Sequence, residues 1–289
     1  MVFLGFVIVY CFIRYLSLND YLVVLPNLPN EVVTAREASY MLYGDGEIDT
    51  NTEKSLHKYI LSFTSRQTPG EPRVIDRPGR IHYSQIGQSQ YVDKLLKGRR
   101  NGVFLECGAS NGESMSNSLF FEMHRNWTGI LIEANPVRQK FLIKKNRNAF
   151  VVRSCLSVTR KPQTAKYAMP GNVGGGLSSN LNSNDISNFR RWSKLRVFPE
   201  VYMQCFPLTS ILDALGIHRI DYMSLDVEGA EIDILNTVNW TKLTVDVFTI
   251  EYNRSLSKLN KLRALFEKTG LYKELRLLGS GQDVVFMRR

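Results

Sequence analysis

From residue 103 onward, short apolar runs suited to buried strands alternate with segments whose apolar positions recur every three to four residues. Val103-Phe104-Leu105-Glu106 is the first of these strands. It runs into Cys107-Gly108-Ala109-Ser110-Asn111-Gly112-Glu113-Ser114, a glycine turn followed by residues suited to a first helical turn. Further strands are predicted at 130–133, 150–156, 222–225 and 245–250, with two more near 272–278 and 284–287 and an extended stretch at 201–206. Helices are predicted over 89–97, where Tyr91, Val92, Leu95 and Leu96 recur at helical spacing, and over 136–146, which opens on Pro136. Two more fall at 208–215 and at 256–269, the latter closed by Gly270. Alternation of this kind predicts a Rossmann-like α/β fold, a mostly parallel seven-stranded sheet with helices on both faces.

The chain ahead of this pattern reads differently. Residues 1–13 are apolar up to Arg14, and a second apolar patch spans 21–25. The first run is shorter than the roughly 20 residues of a bilayer span, yet a core strand that long and continuous is unusual. Residues 1–25 are therefore a candidate membrane anchor or signal segment. Residues 26–83 mix Pro26, Pro29, Pro69, Pro72 and Pro78 with polar positions and hold one amphipathic stretch at 52–63, the pattern of a stem or linker with a short helix. Residues 171–188, rich in Gly, Ser and Asn, read as a flexible insertion within a domain spanning 84–289.

Charge changes the picture little. The formal net charge of +10 is spread over several predicted helices, which reads as solvated helix faces and not as a nucleic-acid groove, so no nucleic-acid partner is expected. Four cysteines are too few for a disulfide scaffold. Three sequons, at Asn126, Asn239 and Asn253, are acceptors only if the domain is lumenal.

Chemistry enters at the strand ends. In an open parallel sheet ligands collect at the carboxyl ends of the strands, and four of those ends carry acids: Glu106, Glu133, Asp226 and Glu251. Without a ligand or donors between them, four carboxylates on one edge repel each other. Glu133 follows Gly108 by 25 residues, the spacing at which a carboxylate holds a ribose diol. The turn has two glycines, not the three of the dinucleotide fingerprint, which suits S-adenosylmethionine better than a pyrophosphate-bearing nicotinamide cofactor. Transfer of a methyl group to a hydroxyl needs in-line placement and removal of a proton, for which Asp226 or Glu228 would serve as base. The other use of these acids, with Glu251, is to hold a divalent cation that lowers the hydroxyl pKa; no metal site is assigned. Glu231 is expected to face solvent on the following helix.

At Phe104-Leu105-Glu106-Cys107-Gly108-Ala109, Leu131-Ile132-Glu133-Ala134-Asn135-Pro136 and Leu225-Asp226-Val227-Glu228-Gly229-Ala230-Glu231 the chain resembles the FkbM-type methyltransferases, class I S-adenosylmethionine-dependent enzymes that typically methylate hydroxyls. Further words, among them Ser116-Asn117-Ser118-Leu119 and Cys205-Phe206-Pro207-Leu208, resemble the invertebrate Star-like branch. The resemblance implies that Glu106, Gly108, Ala109 and Ser110 line the methionine part of the cofactor in the turn that includes Asn111. It also implies that Glu133 takes the ribose, that Ala134 and Asn135 flank the adenine, and that Asp226 meets the substrate. The acceptor it implies is a small molecule or a glycan. The Star-like likeness implies an alternative: an inactive methyltransferase fold in a membrane-associated protein of the secretory pathway, exporting cargo from endoplasmic reticulum to Golgi, with a secretory cargo protein as partner. Location then follows the N-terminal segment: secretory pathway or plasma membrane if it is an anchor, cytoplasmic if it is not. Cys155 and Cys205 bracket the insertion and stand either as a lumenal disulfide or as two buried thiols.

Overall fold

A computed structural model describes residues 50–68, 70–169, 174–194 and 198–289. The apolar segment 1–25 and the stem up to residue 49 lie outside the described residues. The described chain opens with helix α1 (Thr50–Ser62), strand β1 (Thr64–Arg66), α2 (Gln88–Leu95), β2 (Val103–Cys107), α3 (Leu119–Arg125), β3 (Thr128–Ile132), α4 (Pro136–Lys144) and β4 (Ala149–Val152). An inserted module follows: β5 (Cys155–Leu156), β6 (Gln163–Ala168), β7 (Gly176–Leu177), α5 (Ser183–Ser193) and β8 (Glu200–Phe206). The chain then resumes with α6 (Leu208–Leu215), β9 (Arg219–Leu225), α7 (Glu231–Thr237), β10 (Thr244–Glu251), α8 (Leu256–Thr269), β11 (Tyr272–Leu278) and β12 (Asp283–Arg288).

The main sheet runs β1-β4-β3-β2-β9-β10-β12-β11. Its five central strands, β4 to β10 in that order, are parallel, while β12, β11 and the edge strand β1 pair antiparallel. Both faces of the parallel strands are covered, which is why they read as continuous apolar runs without polar alternation. Leu105, Ile130, Ile132, Met223 and Phe248 face one core, shared with Ile211, Ile234 and Leu262 of three helices. Their neighbours Phe104, Leu131, Tyr222 and Val247 face the other, with Phe120, Phe121, Trp127 and Leu142. These are the seven expected strands, with β1 added at the edge.

Two expectations change. From Thr50 on, the segment read as a stem is part of the folded domain, because the apolar stripe of α1 is buried: Leu56, Tyr59, Ile60 and Phe63 enter the first core, and Tyr59 and Phe63 stack edge-on against Phe206. The described part of the insertion is also ordered structure, a second sheet in the order β5-β8-β6-β7 with α5 beside it. Its Gly176 serves close packing, as shown below. No helix among the described residues is long and apolar enough to cross a membrane.

Candidate functional site

The chain leaves β2 for β3 and β4 on one side, passes through the inserted module, and returns as β9 on the other side of β2. The carboxyl ends of β2 and β9 thus form the crevice where an open α/β sheet binds its ligand. Backbone bonds lace the turns that leave these strands. Gly108 and Ala109 donate to the Ile132 carbonyl at 3.0 and 3.1 Å, and Asp226 N–H donates to the Cys107 carbonyl at 3.2 Å. Gly108 has φ +84°, and a Cβ there would overlap the carbonyl oxygen of Asp226.

A cavity of about 540 Å³ opens at this point, within the range of small-molecule sites. Of the residues expected there, Glu106, Gly108, Ala109, Ser110, Glu133, Ala134, Asp226, Glu228 and Glu251 line it. Asn111 and Asn135 do not; each side chain is spent on local structure. Asn111 Oδ1 accepts from the backbone of Glu113 and Ser114, and Asn135 Oδ1 caps α4 by accepting from Val137 and Arg138. Such caps are the ordinary use of asparagine at a helix or turn start.

The two carboxylates nearest the expected cofactor are held differently. Glu106 is held by its own loop: one oxygen accepts from the hydroxyls of Ser116 and Ser118, the other from Asn117 N–H at 2.7 Å. It organises the loop, and the second oxygen keeps room for one further donor. Glu133 accepts one backbone N–H on each oxygen, from Ser110 at 2.6 Å and Asn135 at 2.7 Å, which leaves each oxygen room for a ribose hydroxyl. Burial raises its pKa to about 7 against the opposing pull of those two amides.

At the far side of the cavity the acids crowd. Single carboxylate oxygens of Asp226, Glu231 and Glu251 lie within 4.8 Å of one another. Asp226 is exposed to the cavity, and burial in the crevice, with Asp283 and Glu231 nearby, pushes its pKa up to about 7. Glu228 and Glu251 are raised well above the usual carboxylate range, by burial first and by neighbouring acids second. Glu231, expected in solvent, is fully buried. It accepts from Val227 and Gly229 N–H and pairs with Lys258 Nζ at 2.7 Å, so it locks the turn that presents Asp226 and Glu228. Lys258 also reaches Glu251 at 3.8 Å. Burial works against its ammonium, but Glu231 and Glu251 outweigh it and hold the lysine protonated. The protein thus supplies its own cation to the cluster.

The inserted module roofs the cavity with Tyr167, Leu177 and Asn188. It approaches the Asp226–Gly229 turn closely enough that a Cβ on Gly176 would stand 2.9 Å from the Glu228 carbonyl oxygen, and one on Gly229 2.7 Å from that of Asn180. Cys155 and Cys205 form a disulfide between the paired strands β5 and β8, which closes the neck of the module. Among the described residues, three cavity-lining side chains keep a buried polar atom without a partner: Ser154 Oγ, Arg138 Nε and Asn117 Oδ1. Buried polar atoms are normally paired, so these fit a polar ligand such as the nucleoside and amino-acid ends of the expected cofactor.

Ser154 sits between β4 and β5, in the gap that splits the third predicted strand, and carried no sequence signal as a site residue. Because its hydroxyl bonds to nothing in the protein, Ser154→Ala is expected to leave the thermal midpoint unchanged while weakening cofactor binding about fivefold to tenfold. Parallel calorimetric titration and thermal melts check this; a loss of stability with unchanged affinity would assign the hydroxyl a purely structural role.

Residues 106–273 match the family model described as methyltransferase FkbM domain. No curated protein matches the sequence, and the match does not single out the Star-like branch. Among solved structures, the methyltransferase FkbM from Methylobacillus flagellatus is 14% identical, with 71% of this chain and 48% of that chain covered and a TM-score of 0.43. A precorrin-6y C5,15-methyltransferase from Geobacter metallireducens is 12% identical, covering 77% and 95% at a TM-score of 0.38. TrmK from M. capricolum, in complex with S-adenosyl-homocysteine, is 12% identical, covering 71% and 68% at 0.36. These likenesses are remote, and the family match rests on the sequence model.

Proposed function

Since the chain belongs to the FkbM methyltransferase family, we propose that it transfers a methyl group to a hydroxyl of a small molecule or glycan, with Asp226 as the base. S-adenosylmethionine is the cofactor, and it supplies an electrophilic methyl group on a sulfonium centre. The observation that carries the proposal is the backbone packing of the Gly108 turn against Asp226, a residue that lines the same cavity as that turn. Glu133 would hold the ribose diol, while Gly108, Ala109 and Ser110 would frame the methionine end. Asp226 would take the proton of the acceptor hydroxyl, a task suited to a base whose pKa lies near the working pH. Side-chain amides of Gln85, Asn188, Asn253 and Gln282 line the same cavity and offer donors and acceptors to further hydroxyls of the acceptor.

Asp226→Asn is expected to lower methyl transfer about a hundredfold while cofactor affinity stays near that of the unsubstituted protein. Because the carboxyl must be ionised to accept a proton, and its pKa is raised to about 7, the rate should climb as pH rises from 6 to 8. Measured at saturating cofactor, that limb should vanish in the variant. Transfer of labelled methyl from S-adenosylmethionine to a panel of hydroxylated small molecules and glycans provides the measurement. Turnover unaffected by the substitution would remove Asp226 as the base.

A further inference from the structure

Two features away from the acceptor chemistry converge on one modification. The first is the disulfide between Cys155 and Cys205, both of them buried. Disulfides of this structural kind form and persist in oxidising compartments. The second is the sequon Asn239-Trp240-Thr241, in the connection between α7 and β10, with Asn239 exposed. Its Oδ1 accepts from Thr241 N–H at 3.1 Å and from Thr241 Oγ1 at 2.7 Å, a closed turn of side chain onto backbone. Its Nδ2 has no protein partner among the described residues. The turn precedes the amino end of β10, on the sheet edge opposite Glu251 and the cavity, so a bulky group there leaves the crevice open.

The other two sequons lack this combination. Asn126 donates its Nδ2 to Asn101 Oδ1 at 2.7 Å, and Thr128 gives its hydroxyl to the Asn148 carbonyl. Asn253 lines the cavity, and Ser255 Oγ is engaged as the cap of α8. We infer that this domain folds in the oxidising lumen of the secretory pathway and that Asn239 carries an N-linked glycan there. The Asn239–Thr241 turn spans two residues and can form in the nascent chain as well as in the finished fold. In the transfer, Asn239 Nδ2 forms a C–N bond to the anomeric carbon of a lipid-pyrophosphate-linked oligosaccharide. The C–O bond to the pyrophosphate breaks, the lipid pyrophosphate leaves with the electron pair, and the amide proton passes to a base of the transferring enzyme.

The test is peptide mapping of the full chain expressed in eukaryotic cells, without reduction, after peptide-N-glycosidase treatment in heavy-oxygen water. The expected result is a heavy-oxygen aspartate at position 239, an unmodified Asn253 and a linked Cys155–Cys205 peptide pair. An Asn239 peptide recovered unmodified, or both thiols free, overturns the inference. Asn239→Gln and Thr241→Ala should each remove one glycan step in gel mobility, while Thr241→Ser keeps it; Asn239→Gln with the full mobility shift retained also overturns it.

Discussion

Gly108→Ala is expected to abolish measurable cofactor binding and to lower stability by about 4 kcal/mol, the sum of a left-handed backbone at a residue with a Cβ and a steric overlap in a packed turn. The backbone there has φ +84°, and the new methyl group would fall on the Asp226 carbonyl oxygen, which belongs to the backbone and has no rotamer into which to retreat. Relief requires the β2 and β9 turns to part, and that displaces Asp226 and the amides around Glu133 together. A misplacement of about 1 Å at a reacting centre costs on the order of a hundredfold in rate. Gly270 supplies the control. It also has a positive φ, +66°, but a Cβ there meets nothing within 4 Å, so Gly270→Ala should cost only about 1 kcal/mol and leave binding intact. Denaturant unfolding and calorimetry on both variants check the pair; equal effects at the two positions would show that the Gly108–Asp226 contact has no special role.

Removing the disulfide should act at similar scale by another route. Cys155 and Cys205 are separated by 50 residues, and closing a loop of that length restricts the unfolded chain by about 4 kcal/mol in the chain-entropy description. The loop contains the whole inserted module, including Tyr167, Leu177 and Asn188 over the cavity. The double substitution Cys155→Ser with Cys205→Ser is therefore expected to lower the unfolding free energy by about 4 kcal/mol and to weaken cofactor binding as the roof loosens. Equilibrium unfolding of the oxidised protein, the reduced protein and the double variant gives the comparison. Coincident curves for all three would mean that the module is held by its other contacts, such as the Gly176–Glu228 approach.

Much of this arrangement was legible in the chain, because buried parallel strands announce themselves as unbroken apolar runs. The strand at 103–106 proved to be β2 with one residue added, and the helix at 256–269 and the strand at 272–278 have the predicted bounds. The acids at the strand ends were found for the same reason: a charged residue closing an apolar run has few places to stand other than the sheet edge. What escaped were interactions between distant segments. Glu231 looks solvent-facing from its helix alone, and only Lys258, arriving on α8, makes its burial intelligible. Gly174-Gly175-Gly176 reads as flexibility, but Gly176 is needed for a backbone contact with Glu228 that no local pattern encodes. The helix at 50–62 was visible as an amphipathic stretch, while the face that receives it comes partly from Phe206, far along the chain. The candidate site residues divide in the same way. Glu133 is proposed from spacing, whereas Ser154 and Arg138 stand out only by a buried polar atom left without a partner among the described residues.

The central claim is that the crevice between β2 and β9 binds S-adenosylmethionine through Glu133. Its most direct test is calorimetric titration of the cofactor into the protein at pH 6 and pH 8, repeated with Glu133→Gln, which keeps the side chain's size. In this proposal the ionised carboxylate would accept the ribose hydroxyls, and its pKa is raised to about 7; the favourable form is therefore present above that pH and lost as pH falls through it. The account predicts one site, with affinity about tenfold higher at pH 8 than at pH 6. In Glu133→Gln, binding should be weaker by more than about tenfold at pH 8 and insensitive to pH across this range. A folded protein that does not bind the cofactor, or one whose Glu133→Gln variant binds it equally well, would contradict the account.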